Sequence, residues 1–257
     1  LRTLTKTQRV AALGTLVVTL SWLTSPADPV LRIDGVDGGG EGGVFGDLQD
    51  TANPPVQDRT AVQLQGGDRF FCTVMDNAQI KCWGNNLSSQ LGTADNYRFH
   101  GTDVSNMGDD LPIVQLGTGR TAVQVSTGVR HACAILDNGS VKCWGRCSDG
   151  SCGVNTSFVG DVPGDLGDAL PAVDLGTGRT AVELSLGDDF SCARLDDNTV
   201  KCWGKNNRGQ LGQGFRGALG VTPTQMGDAL LPVELGTDRT AVRIDAGYAH
   251  VCAILDN

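Results

Sequence analysis

Nine cysteines and three histidines are the side chains of this 257-residue sequence whose chemistry asks first for an explanation. Thiols pair, hold metals or attack substrates, and their spacing separates these uses. Six cysteines stand in three Cys-x9-Cys-Trp-Gly segments: Cys72 to Gly84, Cys133 to Gly145 and Cys192 to Gly204. Two more are Cys147 and Cys152, and the last is Cys252. A zinc site needs about four ligands; Cys147-x4-Cys152 has no second Cys/His pair of ligand spacing beside it, so it reads as a disulfide. No Ser or Cys has a His partner at a spacing that would make a nucleophile and its base. His131 and His250 occupy repeat positions that Phe70 and Phe190 fill elsewhere, so an apolar ring replaces the imidazole and a general base is not expected there. His100 is different. With Tyr97, Arg98 and Phe99 it forms an aromatic and cationic cluster on one loop, and such side chains supply most of the energy of protein interfaces. Phe158 and the Phe215-Arg216 pair lie in the corresponding stretches of later repeats, so these seven residues are the candidate binding site, on a shared rim.

What must position them is a repeat of about sixty residues. Arg-Thr-Ala-Val recurs at 59–62, 120–123, 179–182 and 239–242, in step with the cysteine segments and spaced 61, 59 and 60 residues apart. In the second copy, 131–136 and 140–145 read as short strands about the turn Asp137-Asn138-Gly139. Three-residue hairpin loops place their last residue at positive φ, which Gly139 and Asn198 accept and Ala78 does not. Centring each turn this way sets Cys72 opposite Cys82, Cys133 opposite Cys143 and Cys192 opposite Cys202, close enough across an antiparallel ladder for a disulfide. Counting by twos puts Cys133, Ile135, Val141 and Cys143 on one face and Ala132, Ala134, Leu136 and Trp144 on the other. Both faces are apolar, which suits sheets packed between sheets, as in stacked propeller blades.

The loop after each hairpin carries Asn86 and Leu91, or Asn206 and Leu211; in the middle copy Cys147 and Cys152 hold those two places, so a covalent bridge replaces an Asn side chain and a buried Leu. Each unit closes on an edge strand preceded by Pro112, Pro171 or Pro232. The 36 glycines and few helix-favouring runs agree with turns and strands. A net charge of −9 excludes a protein that lives by neutralising phosphates, so nucleic acid and anionic membrane surfaces are not expected partners. The acids around Asp34 and Asp37 lack the ligand run of a calcium hand, no Gly-rich phosphate cradle is present, and no cofactor is expected.

Residues 1–27, with Arg2, Lys6 and Arg9 before the apolar stretch 10–23, resemble a secretory signal, and 28–58 read as a Gly-rich flexible lead-in. Residues 59–257 are the repeat array, expected to be cut short at its C-terminus because Cys252 would pair ten residues on, past Asn257.

These residues resemble the regulator-of-chromosome-condensation repeat family, through Gly128, His131, Ala134, Gly139, Val141, Trp144 and Gly145 and through the run Gly209-Gln210-Leu211-Gly212. The resemblance covers roughly 59–257. It implies an all-β propeller of four-stranded blades, commonly seven, of which about four repeats are present here as a partial or open array. Paired cysteines belong to an oxidising compartment. We therefore expect a non-enzymatic, secreted or cell-surface scaffold that binds a protein or glycan through its variable loops; one secreted branch of the family inhibits β-lactamases through such a surface. The alternative that the resemblance implies is a guanine-nucleotide exchange factor for a small GTPase, which would place the chain in a reducing compartment that leaves the cysteine pairs open.

Overall fold

The computed structural model describes residues 59–95 and 97–256; the signal-like segment 1–27 and the lead-in 28–58 lie outside them. The first repeat forms a four-stranded antiparallel sheet of β1 (Ala61–Gly66), β2 (Phe70–Met75), β3 (Ile80–Asn85) and β4 (Phe99–His100), in that order. The second repeats it with β5 (Ala122–Thr127), β6 (His131–Leu136), β7 (Val141–Arg146) and β8 (Phe158–Val159). In the third, β9 (Ala181–Leu186), β10 (Phe190–Leu195) and β11 (Val200–Gly204) form the sheet, and a single bridge from Gly204 to Leu219 stands for the fourth strand. The fourth contributes β12 (Ala241–Ala246) and β13 (Val251–Leu255). The array is all-β, with short 3-10 turns in the variable stretches.

The hairpin register is the one the spacing requires. Cys72 faces Cys82, Cys133 faces Cys143 and Cys192 faces Cys202, joined by S–S bonds of 2.11, 2.10 and 2.10 Å, and Cys147 bonds Cys152 at 2.01 Å. The turns close on three residues, since Met75 N donates to Gln79 O and Ala78 N back to Met75 O. Ala78 takes φ 60° like Asn198 at 64° and Gly139 at 76°. Here the register overrides the preference of the residue: the cost of one left-handed Ala, about 1–2 kcal/mol, is smaller than that of a slipped ladder.

The strand expected after Pro112, Pro171 and Pro232 is shorter than the sequence suggested. That segment makes one ladder bond to its own hairpin, Val114 N to Ile80 O, Val173 N to Val141 O and Val233 N to Val200 O. It then turns at Gly117, Gly176 or Gly236, and the edge strand begins only at the Ala of Arg-Thr-Ala-Val, as the first strand of the next blade. The glycines, at φ 114°, 109° and 103°, bend the chain away from the extended conformation and so end the ladder.

Neighbouring blades are stitched in register. The residue after Arg-Thr-Ala-Val reaches the next blade's first strand: Gln63 Oε1 accepts from Val125 N at 2.9 Å, Gln124 Oε1 from Leu184 N at 2.9 Å, and Glu183 Oε2 from Ile244 N at 3.2 Å. Each buried Trp packs on the loop of the blade before it, with Trp144 Nε1 donating to Gln90 O at 3.1 Å and Trp203 Nε1 to Ser151 O at 3.0 Å. Both rings are fully buried. In the second repeat both hairpin faces are buried, as expected. In the first, Trp83 is half-exposed and stacks on the exposed Phe71, centroids 5.8 Å apart.

Candidate interaction face

Antiparallel order sorts the loops. Those joining first to second strand and third to fourth strand share one end of each blade, because Asn85 N, Arg146 N and Lys205 N donate to Arg69 O, Arg130 O and Asp189 O. The first-to-second loops of successive blades also touch: Val129 N donates to Gly187 O, and Asp188 N to Tyr248 O. Each of these loops turns on a glycine packed flat against a ring. A Cβ on Gly128 would lie 2.6 Å from the His131 ring, and one on Gly187 would lie 2.1 Å from Phe190. Planarity, not basicity, is what the position demands, and so His and Phe alternate there.

His131 is fully buried, its Nε2 2.9 Å from Ser191 Oγ, which in turn donates to Ser151 O at 2.9 Å. Burial pushes the imidazole down to about 4, against the pull of Asp189 and Asp188. Ser191 is fully buried as well, so the pair is a seam between blades and reaches no substrate. Beside it Arg130 pairs with Asp189 at 2.8 Å and Asp188 at 3.4 Å, and Lys205 with Asp188 at 2.8 Å. Burial raises Asp188, but hydrogen bonds from Lys205 and Tyr248 and the charges of Lys205 and Arg130 bring it below the ordinary carboxylate range. This network joins repeats 2, 3 and 4, and sequence reasoning missed it, because its members are 58 and 59 residues apart.

The loop residues singled out by sequence all belong to this end. Tyr97, Arg98, Phe99, Phe158, Phe215 and Arg216 are exposed. His100 is not: its side chain is buried, Nε2 lying 2.9 Å from Asp95 Oδ2, with Tyr97 edge-on at 5.6 Å. The ladder alternates, and its pairing with Gly84 turns His100 inward while Phe99, opposite Asn85, faces out. Phe158 holds the place of Phe99, opposite Arg146. Phe215 instead matches Tyr97, since the carbonyls of both accept from the loop asparagine, Asn206 Nδ2 at 2.8 Å and Asn86 Nδ2 at 3.0 Å. Those asparagines clamp the loop as expected: Asn86 Oδ1 and Asn206 Oδ1 each accept, at 3.1 Å, from the N–H of the buried Leu91 and Leu211.

Sequence reasoning also passed over Leu87, Arg208 and Tyr248, which are exposed on the same loops. The variable loop of repeat 2 lines a cleft of about 620 Å³, with Asn155, Phe158, Asp161 and Asp165 among its walls. A hydrogen bond with Asp165 pushes the Asp161 carboxyl up. The opposite end differs in character. Its hairpin turns carry Asp76, Asp137, Asp196 and Asp197, and its 3-10 turns Asp109, Asp110, Asp168 and Asp228. Among the described residues no group of three or more His, Cys, Asp and Glu side chains is placed to hold a metal.

The family description "Regulator of chromosome condensation (RCC1) repeat" matches residues 122–154, 181–210 and 197–254. The chain is 29% identical over 157 residues to the human probable E3 ubiquitin-protein ligase HERC6, covering 60% of this chain and 14% of that protein. It is 24% identical over 163 residues to the Arabidopsis thaliana ultraviolet-B receptor UVR8, covering 62% and 32%. The chain thus spans well under half the length of these relatives. Among solved structures it is similar to human WBSCR16, with a TM-score of 0.55 at 19% identity over 77% of this chain and 46% of that one. Yeast RCC1 (Prp20) bound to Kap60 gives 0.54 at 17% identity over 78% and 43%. At these identities the likeness is one of fold.

Proposed function

The chain belongs to the regulator-of-chromosome-condensation repeat family, and from that premise we propose that it is a non-enzymatic recognition scaffold, exported to an oxidising compartment, which grips a protein partner through one end of its blades. One observation carries the reading: the exposed aromatic rings Tyr97, Phe99, Phe158, Phe215 and Tyr248 and the arginines Arg98, Arg208 and Arg216 converge on the same end. Aromatic and Arg side chains are the usual anchors of protein interfaces. Four disulfides support export, since a reducing compartment leaves such pairs open. They weigh equally against the exchange-factor alternative. Yeast RCC1 (Prp20), a protein with this fold, is seen in a crystal with Kap60 bound.

The test is a triple substitution, Tyr97→Ser, Arg98→Ser and Phe99→Ser, which spares the buried His100 and its contact with Asp95. A partner captured from the extracellular fraction by the unaltered chain should be lost by the variant, with the β circular-dichroism signal and the thermal midpoint unchanged. Retained binding by a folded variant would move the interface to the acidic end.

A further inference from the structure

Three Asn-x-Ser segments occur in the chain, Asn86-Leu87-Ser88, Asn138-Gly139-Ser140 and Asn155-Thr156-Ser157. This is the acceptor pattern for N-linked glycans in exported proteins, and the structure treats the three differently. Asn86 is buried and its carboxamide is committed at both ends: Nδ2 donates to Tyr97 O at 3.0 Å and Thr93 Oγ1 at 3.3 Å, and Oδ1 accepts from Leu91 N at 3.1 Å. Asn138 stands exposed in a hairpin turn. Its Oδ1 accepts from Ser140 N at 3.1 Å and Ser140 Oγ at 2.7 Å, which leaves Nδ2 without a partner among the described residues. Asn155 is exposed on the variable loop of repeat 2, in the wall of the cleft that holds Phe158.

We propose that Asn138 and Asn155 are N-glycosylation sites and that Asn86 stays bare in the folded protein. In the transfer, Nδ2 forms a C–N bond to the anomeric carbon of a lipid-pyrophosphate-linked oligosaccharide, the anomeric C–O bond breaks, the lipid pyrophosphate departs and Nδ2 gives up one proton. A sugar on Asn86 would abolish the clamp that holds the loop of repeat 1, so chains carrying it do not reach this fold. A glycan on Asn155 stands three residues from Phe158 and steers how a partner reaches that ring, whereas one on Asn138 shields the acidic end.

The inference rests on the export reading, and the experiment separates the two. The chain is expressed in a eukaryotic cell behind its own N-terminal residues and, in parallel, behind a supplied leader. Secreted material is digested with an N-glycosidase, which leaves an aspartate at each modified asparagine, and is mapped by peptide mass. The expected result is conversion at Asn138 and Asn155 only; Asn138→Gln and Asn155→Gln each remove one glycan's mass, and Ser88→Ala, which keeps the Asn86 clamp, removes none. Secreted, disulfide-bonded chain with Asn138 and Asn155 unconverted overturns the proposal, as does loss of a glycan in Ser88→Ala. Retention inside the cell with titratable thiols in the first arm alone counts against export, while the leader arm still reads the acceptor sites.

Discussion

The indole Nε1 of Trp144 donates to the backbone carbonyl of Gln90, 54 residues earlier in the chain. The bond crosses from one blade to the loop of the blade before it. Trp203 repeats it on Ser151, at the place of Gln90 one repeat later, so the blades of repeats 1 and 2 are each seated by a ring that belongs to the next.

Replacing Trp144 by Ala should therefore destabilise the array by about 3–5 kcal/mol, the range for a large buried aromatic. Trp144→Phe keeps most of the packing and forfeits the bond to Gln90, at about 1 kcal/mol. Trp83→Ala should cost clearly less than Trp144→Ala, because Trp83 is half-exposed. Denaturant midpoints measure all three, and equal losses at Trp83 and Trp144 would contradict the seating described here.

The loop of repeat 2 should accept the device of its neighbours. Cys147→Ser with Cys152→Ser should cost about 2 kcal/mol through lost loop closure. Cys147→Asn with Cys152→Leu recreates the pair that Asn86 with Leu91 and Asn206 with Leu211 form and should recover most of that loss. Thermal midpoints under non-reducing conditions compare the two variants.

Acid should loosen the seam at His131. Its folded value of about 4 lies below the ordinary 6.5, so between those values the unfolded chain holds a proton that the folded chain refuses. Stability is then full above pH 6.5 and falls as the pH drops toward 4, by on the order of 3 kcal/mol for a shift of this size. Asp188, whose value is lowered, adds its loss only below the ordinary carboxylate value of 3.8. His131→Phe with Ser191→Ala, the residues that repeat 1 and repeat 2 carry one step earlier as Phe70 and Ala132, should flatten the urea midpoint between pH 6.5 and 4. A slope that survives the exchange would assign it to other groups.

Turn residues offer a prediction of opposite sign. Ala78→Gly should gain about 1 kcal/mol by relieving a left-handed Ala. Gly139→Ala should destabilise by more than that, since the new Cβ would sit 2.6 Å from Thr180 Cβ at φ +76°. Calorimetry on both variants tests the pair.

The hairpins and their disulfides were legible because the relevant distances are short in sequence: a three-residue turn and a period of two leave Cys133 only Cys143 to face. The exchange of Asn206 and Leu211 for Cys147 and Cys152 was legible because equivalent positions can be compared between copies. Contacts that cross blades were not. Gln90 takes part in the Trp144 bond through its carbonyl, which every residue has, and the Arg130 network joins charges of repeats 2 and 3 with the Tyr248 hydroxyl of repeat 4. The inward turn of His100 depends on which residue of a two-residue strand pairs with Gly84, and a loop of variable composition carries no period from which to read it.

The bridge in repeat 2 has a kinetic consequence. In repeats 1 and 3 each thiol's nearest neighbour along the chain is its native partner, ten residues away. Cys143 and Cys147 are the exceptions: they lie four residues apart, nearer to each other than to their partners Cys133 and Cys152, and a shorter loop closes at lower entropic cost. During oxidation from the reduced state the outer hairpins find their partners by proximity, whereas the middle one must first undo or avoid a Cys143–Cys147 pairing. Disulfide exchange at that point should therefore be the slowest step of oxidative refolding, and an added isomerase should speed the middle repeat more than the outer two.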